Sequence, residues 1–118
     1  MKAILAFLAF GILNAHAATV AGINKKLETI ILPQVQLAEV SFPEAIEYVR
    51  QRAVALDPAK TGFNVVLQVP KDNPGLQSKV TLSLTNVPVG VALDYATRAA
   101  NLRYKVDSFA VVILPLGD

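Results

Sequence analysis

Two stretches of this chain repeat each other, and that repetition limits the architecture more than any other feature. Laying Val40 to Ala53 over Val87 to Ala100 brings Val40 onto Val87, Ala45 onto Ala92, Tyr48 onto Tyr95 and Ala53 onto Ala100 as identities. Phe42 with Val89, Ile46 with Leu93, Glu47 with Asp94 and Val49 with Ala96 are conservative matches, and upstream Val35 falls on Leu82 and Leu37 on Leu84. Amphipathic helices share a period without sharing ancestry, but matches that hold register through strand, cap and helix point to a repeated unit. The chain therefore reads as two strand-helix-strand units.

The local signals agree. Val35, Leu37 and Val40 suit a strand, after which Ser41 and Glu44 make a capping box with Pro43 inside the first turn, where its missing N–H costs nothing. Phe42, Ala45, Ile46, Val49, Ala53 and Leu56 then recur on a 3.6-residue period, predicting a helix that Asp57-Pro58 stops. Phe63 to Val69 is rich in β-branched and apolar residues and predicts a second strand, which Pro70 closes. Lys71-Asp72-Asn73-Pro74-Gly75 is the strongest loop signal and divides the domain into halves. Lys79 to Leu84 alternates apolar and polar, Pro88 opens a second helix with Val89, Ala92, Leu93, Ala96 and Ala100 inward, and Asn101 suits a left-handed C-cap. Leu102 to Val106, the Asp107-Ser108 turn and Phe109 to Leu114 predict a terminal hairpin. In the repeat, Gly62-Phe63 corresponds to Asn101-Leu102. The expected fold is α+β, with two helices packed between a two-stranded and a three-stranded sheet.

The amino terminus has a different character. Lys2 precedes an apolar run from Ala3 to Leu13 that falls short of the roughly 20 residues needed to span a bilayer. Ala15-His16-Ala17 follows, the small-x-small pattern cut by signal peptidase, here before Ala18. Residues 1–17 are expected to be a signal peptide, 18–26 a flexible leader without a clear period, 27–115 the domain and 116–118 a tail. The reading implies export to a Gram-negative-type periplasm, with an outer-membrane association open, and no transmembrane helix after cleavage. About 100 residues remain, enough for one domain and too few for two. The chain has no cysteine, so disulfides add nothing and stability rests on packing. Eleven Lys and Arg against nine Asp and Glu, with Lys2 lost on cleavage, give no steering toward polyanions.

The residue inventory argues against catalysis. The sole histidine, His16, lies in the signal peptide, so the mature chain has neither histidine nor cysteine for nucleophilic, acid-base or common transition-metal chemistry. Ser78 and Lys79 are neighbours in a strand and face opposite ways; Glu44 already serves the capping box and Glu47 suits a solvated position. The glycines at 62, 75 and 90 are isolated and form no phosphate-cradling loop, and the basic residues form no stripe for nucleic acid. No catalytic, cofactor or metal residue is assigned.

Val40-Ser-Phe-Pro-Glu-Ala-Ile-Glu-Tyr-Val49, Lys79 to Pro88, Ala92-Leu93-Asp94-Tyr95 and Asn101 to Asp107 together resemble the short N-terminal domain of secretins and TonB-dependent receptors. The resemblance spans Leu27 to Pro115 and is most specific where the third strand runs into Asn86-Val87-Pro88. It implies a periplasmic module of two βαβ units that contacts other envelope proteins and has no catalytic residues to transfer. Only Pro115-Leu116-Gly117-Asp118 follow the last strand, so the expectation is a free-standing module serving a secretion or transport assembly. The partner is then an envelope protein, with binding of a small ligand in a cleft between the repeats as the alternative. Strand addition to an open sheet edge is the simplest mode, with Phe109 to Leu114 or Lys79 to Leu84 as the candidate strand. Tyr48, Tyr95 and Val112 are the candidate contact residues, although packing is the favoured role of both tyrosines.

Overall fold

The chain's structure, a computed structural model, describes residues 19–117. The segment expected to be a signal peptide, residues 1–17, and the expected cleavage residues Ala15, Ala17 and Ala18 lie outside the described residues. In chain order the elements are α1 (Val20–Thr29), β1 (Ile31–Ser41), α2 (Phe42–Leu56), β2 (Asn64–Leu67), a 3-10 turn (Pro74–Gln77), β3 (Lys79–Pro88), α3 (Val89–Ala99), β4 (Leu102–Val106) and β5 (Ala110–Pro115). The fold is α+β, as the residue pattern implies. β1 and β3 form a two-stranded antiparallel sheet, and the other sheet has the order β2-β5-β4.

The duplication is conformational as well as chemical. In the β1-β3 ladder Gln36 stands opposite Ser83, Val35 opposite Leu84 and Leu37 opposite Leu82, so the two repeats face each other about the equivalent residues Gln36 and Ser83. Both repeats then make the same irregular step. Glu39 adopts φ 52 and its repeat partner Asn86 φ 54. Each left-handed residue breaks the strand's two-residue alternation, so that after Leu37 and Leu84 the next inward side chains are Val40 and Val87, both packed on the core. The residue that follows, Ser41 or Pro88, is the N-cap of the next helix, and the first helical residues, Phe42 and Val89, are fully buried. The second correspondence holds too: Gly62 has φ 62 and Asn101 φ 61 as each chain leaves its helix for the following strand.

Glutamate is poorly suited to the left-handed region, which costs a residue with a Cβ about 1–2 kcal/mol. Part of the gain from glycine is cancelled by the greater freedom it gives the unfolded chain. Glu39→Gly is therefore expected to stabilise the protein by up to about 1 kcal/mol, read as a higher urea midpoint at unchanged slope. Asn86→Gly, starting from a residue that tolerates this conformation, should gain less.

Three helices, not two, occupy the described residues. The reading of Ala18 to Lys26 as a flexible leader is corrected by α1, which begins at the N-cap Thr19, whose hydroxyl accepts the Gly22 N–H at 2.9 Å. Its apolar face is short: Ile23 and Leu27, one turn apart, are buried, and no longer period was there to read. Leu27 lies against α3 at Gly90, where an added Cβ would come within 3.2 Å of both the Leu27 Cβ and its carbonyl oxygen. α2 packs on β1 and α3, while α3 lies between the sheets, against β3 on one side and β4 on the other. Phe42, Leu32, Leu93, Leu102 and Ile113 are the largest side chains sealed in the shared core.

Candidate functional site: the groove beside β4

The terminal strand is not an edge. β5 is hydrogen-bonded on both sides, to β2 in parallel and β4 in antiparallel register. Val112, offered by the sequence as a contact residue on that strand, is 2% exposed and opposes Val66 on one side and Lys105 on the other. The correction follows from the path after β2, which passes through β3 of the two-stranded sheet and α3, returns as the edge strand β4, and sets β5 between β4 and β2 by the terminal hairpin. The other candidate, Lys79 to Leu84 in β3, does have an unpaired side, because its sheet contains only two strands.

The tyrosines part company. Tyr48 is half-buried and packed on the core, whereas Tyr95 is 45% exposed with the Arg98 guanidinium 4.9 Å from its ring centroid. Packing is thus the role of the first and not of the second. Arg98 also bonds the Asp94 carboxylate at 2.7 Å, and both Asp94 and Arg98 line a concavity of the surface.

That concavity is a groove of about 640 Å³ running along β4, and Tyr95 is not among its lining residues. Leu102 to Val106 form its floor, Asp94, Thr97 and Arg98 of α3 one wall, and Val20 and Asn24 of α1, with Leu116, the remainder. Asp107 N–H donates to the Ala110 carbonyl at 2.9 Å, which assigns the backbone of Arg103, Lys105 and Asp107 to the side facing β5. By alternation Leu102, Tyr104 and Val106 turn their N–H and C=O groups away from β5, toward the groove. Two further facts agree: Pro115, opposite Leu102, has no N–H to give, and Ile113, opposite Tyr104, spends its carbonyl on Gln68 of the β2 side at 2.9 Å. The groove floor is an unpaired strand edge.

Its electrostatics are lopsided. Arg98, Arg103 and Lys105 line it against Asp94 as the one carboxylate among the described lining residues. Val20 and Leu116, both well exposed, add apolar surface at the ends. Tyr104 donates its hydroxyl to the Gly90 carbonyl at 3.3 Å; burial and then the nearby Asp94 charge raise its pKa, keeping the proton that this bond needs. A second hollow of about 390 Å³ continues past Asn24, Asp94 and Tyr104 to Leu27, Glu28 and Val91. The alternating Arg103 and Lys105 are visible in the sequence, but their place beside a free edge depends on sheet order, and the contribution of Val20 depends on α1.

A second polar cluster anchors this wall from behind. Lys26 of α1 reaches the Asp57 carboxylate at 2.8 Å, the Thr61 hydroxyl at 2.7 Å and the Gly62 carbonyl at 2.8 Å. Asp57 Oδ1 accepts the Ala59 N–H at 3.0 Å, and Oδ2 accepts the Gly62 N–H at 2.8 Å and the Thr61 hydroxyl at 3.2 Å. Asp57 is 4% exposed. Burial by itself pushes its pKa up, but the Lys26 ammonium and the Ala59 and Gly62 amides more than reverse this and hold the carboxyl well below the usual carboxylate range.

The other polar residues weighed in the sequence have structural partners. Ser41 accepts the Glu44 N–H while Glu44 accepts the Ser41 N–H, the expected capping box, and Glu47 bonds Arg50 and Gln51. The Ser78 hydroxyl points back to the Pro74 carbonyl. No group of three or more potential metal ligands occurs among the described residues, and no described helix is long and apolar enough to cross a membrane. No family model, curated protein or solved structure matches this chain.

Proposed function

We propose that this chain is a non-enzymatic, exported protein-binding module that takes an extended, acid-bearing segment of an envelope protein along the free edge of β4. The observation that carries the proposal is the set of outward backbone groups at Leu102, Tyr104 and Val106, lying in a groove with a formal excess of positive charge. A partner strand laid there gains ladder hydrogen bonds from the edge, and its carboxylates meet Arg98 and Lys105. Val20 and Leu116 offer apolar contact to its alternate side chains. The two strand-helix-strand units and the motif from Lys79 to Pro88 support membership of the secretin and TonB-receptor short N-terminal domain family, and with it service to an envelope secretion or transport assembly. The apolar run and Ala15-His16-Ala17 support export to the periplasm.

The test is a crosslinking pull-down from intact cells with the tagged chain, comparing wild type with Val106→Pro. Val106 turns its N–H toward the groove, so proline there leaves the β4-β5 ladder bonds in place and removes a donor that the partner uses. A lost neutral backbone bond corresponds to about 0.5–1.5 kcal/mol, so binding should fall roughly twofold to tenfold while the melting temperature stays close to wild type. With the captured protein in hand, added protection from hydrogen exchange at the Leu102, Tyr104 and Val106 amides is the expected signature. Equal capture by both proteins, or protection confined to other elements, would refute the edge-binding reading. Saturable thermal stabilisation by a metabolite, without a protein partner, would favour the small-ligand alternative.

A further inference from the structure

The other edge of the three-stranded sheet has a different chemistry. β2 reads Asn64-Val65-Val66-Leu67, followed by Gln68. Edge strands are usually blunted by charge, proline or a bulge. β1 carries Pro33 and the Glu39 bulge, β3 begins with Lys79 and ends with Pro88, and β4 carries Arg103 and Lys105. β2 has no such residue. Val66 is 41% and Leu67 44% exposed.

From the edge's geometry and its symmetry of residue type, we infer that β2 is a self-association surface that takes β2 of a second copy of this chain in antiparallel register about Val66. Gln68 N–H donates to Ile113 across the β2-β5 ladder, so the backbones of Val66 and Gln68 face inward and those of Val65 and Leu67 face out. Centring a two-fold axis on Val66 sets Val65 against Leu67 of the second copy and Leu67 against its Val65. Those are the two residues whose N–H and C=O groups are turned outward, and they give two reciprocal hydrogen-bonded pairs. The same register opposes the two Val66 side chains on the outer face and brings Asn64 across from Gln68 of the second copy. Asn64 already donates its amide N–H to the Phe109 carbonyl at 3.3 Å, leaving its side-chain oxygen to accept from that glutamine.

The second copy is favoured over an unrelated strand because the edge is its own complement. Read in either direction it runs amide, aliphatic, valine, aliphatic, amide, so each residue type meets its match and no like charges are brought together. Both exposed apolar side chains become covered in one step. The result is a continuous six-stranded sheet with the β4 grooves at its two far ends, which presents a partner assembly with two binding edges on one body. So short an edge is far below the area of a standard interface, and the dimer should be weak, with dissociation on the order of 100 µM.

The test is sedimentation equilibrium of the purified protein from about 10 µM to 1 mM, alongside Val66→Lys and Val66→Cys. Wild type should shift from monomer to dimer across that range. Val66→Lys, at an exposed position, should keep its circular dichroism and melting temperature and remain monomeric throughout. The chain lacks cysteine, so Val66→Cys supplies one thiol per copy. The two should sit at the close, non-hydrogen-bonded spacing of about 4.5 Å between Cα atoms, within disulfide reach, and crosslink under mild oxidation at least tenfold faster than a Ser83→Cys control on the other sheet. A wild type that stays monomeric at 1 mM, or a Val66→Cys protein that crosslinks no faster than the control, would overturn the inference. Loss of partner capture by Val106→Pro is read on the opposite edge, so the two proposals fail separately.

Discussion

Val112→Pro is expected to unfold the protein or leave it destabilised by at least about 3 kcal/mol, measured as a collapse of the urea midpoint or loss of cooperative melting. Val112 stands in the middle strand, opposite both Val66 and Lys105, and its N–H belongs to the β4-β5 ladder by the same alternation that turns Ile113 toward β2. Proline there deletes that bond and forces a ring into a site only 2% exposed. With total stability for a domain of this size at about 5–15 kcal/mol, such a loss is a large share of it. The contrast with Val106→Pro is informative because both are valines in one hairpin. Val106 faces its N–H to the groove and tolerates the change. A Val112→Pro protein that melts within a few degrees of wild type would contradict the sheet order β2-β5-β4.

The second large effect belongs to Asp57. Asp57→Ala removes the acceptor of the Lys26 ammonium and of the Ala59 and Gly62 amides together, and should cost about 3 kcal/mol. The loss is pH-dependent in a fixed sense. The folded-state pKa lies below the unfolded value of about 3.9, so the contribution is fully present above about pH 5. It diminishes as the pH falls below the unfolded value and is gone only when the native carboxyl itself takes a proton. The gap in unfolding free energy between wild type and Asp57→Ala should therefore be constant from pH 8 to about 5 and narrow on further acidification. A gap that is unchanged down to pH 3 would mean that packing, not the carboxylate's charge, stabilises this turn. Because Lys26 belongs to α1, the substitution should also raise hydrogen exchange in Val20–Thr29, and with it loosen one wall of the groove.

Much of the architecture was written locally. The stripe from Phe42 to Leu56, with its capping box and the Asp57-Pro58 stop, gave the bounds of α2, because cap, period and stop all lie within a few turns of one another. The left-handed Asn101 followed from the side chain's own tolerance. Glu39 gave no such sign, since nothing about glutamate favours that conformation; only the comparison with Asn86 in the second repeat exposes it. α1 was missed because its apolar face is two residues, and its partners, Gly90 and Asp57, are distant in sequence. Tyr48 and Tyr95 occupy equivalent positions and the same helical phase, yet only one is covered, since the neighbours that cover a side chain come from other elements.

The two repeated units, their helices and strands, and the apolar face of each can be read from the residues alone, because periodicity, caps and turn residues act over a few neighbours. Which strand takes the middle of the three-stranded sheet, and which edges stay open, emerges on assembly of the fold. Strand order is set by long-range pairing and by the path of the connections between units, and two strands of equal β-propensity carry no mark of which will find a partner on both sides. The groove beside β4 and the uncharged edge of β2 are products of that choice, so the residues that line them could be named only once the sheet was assembled.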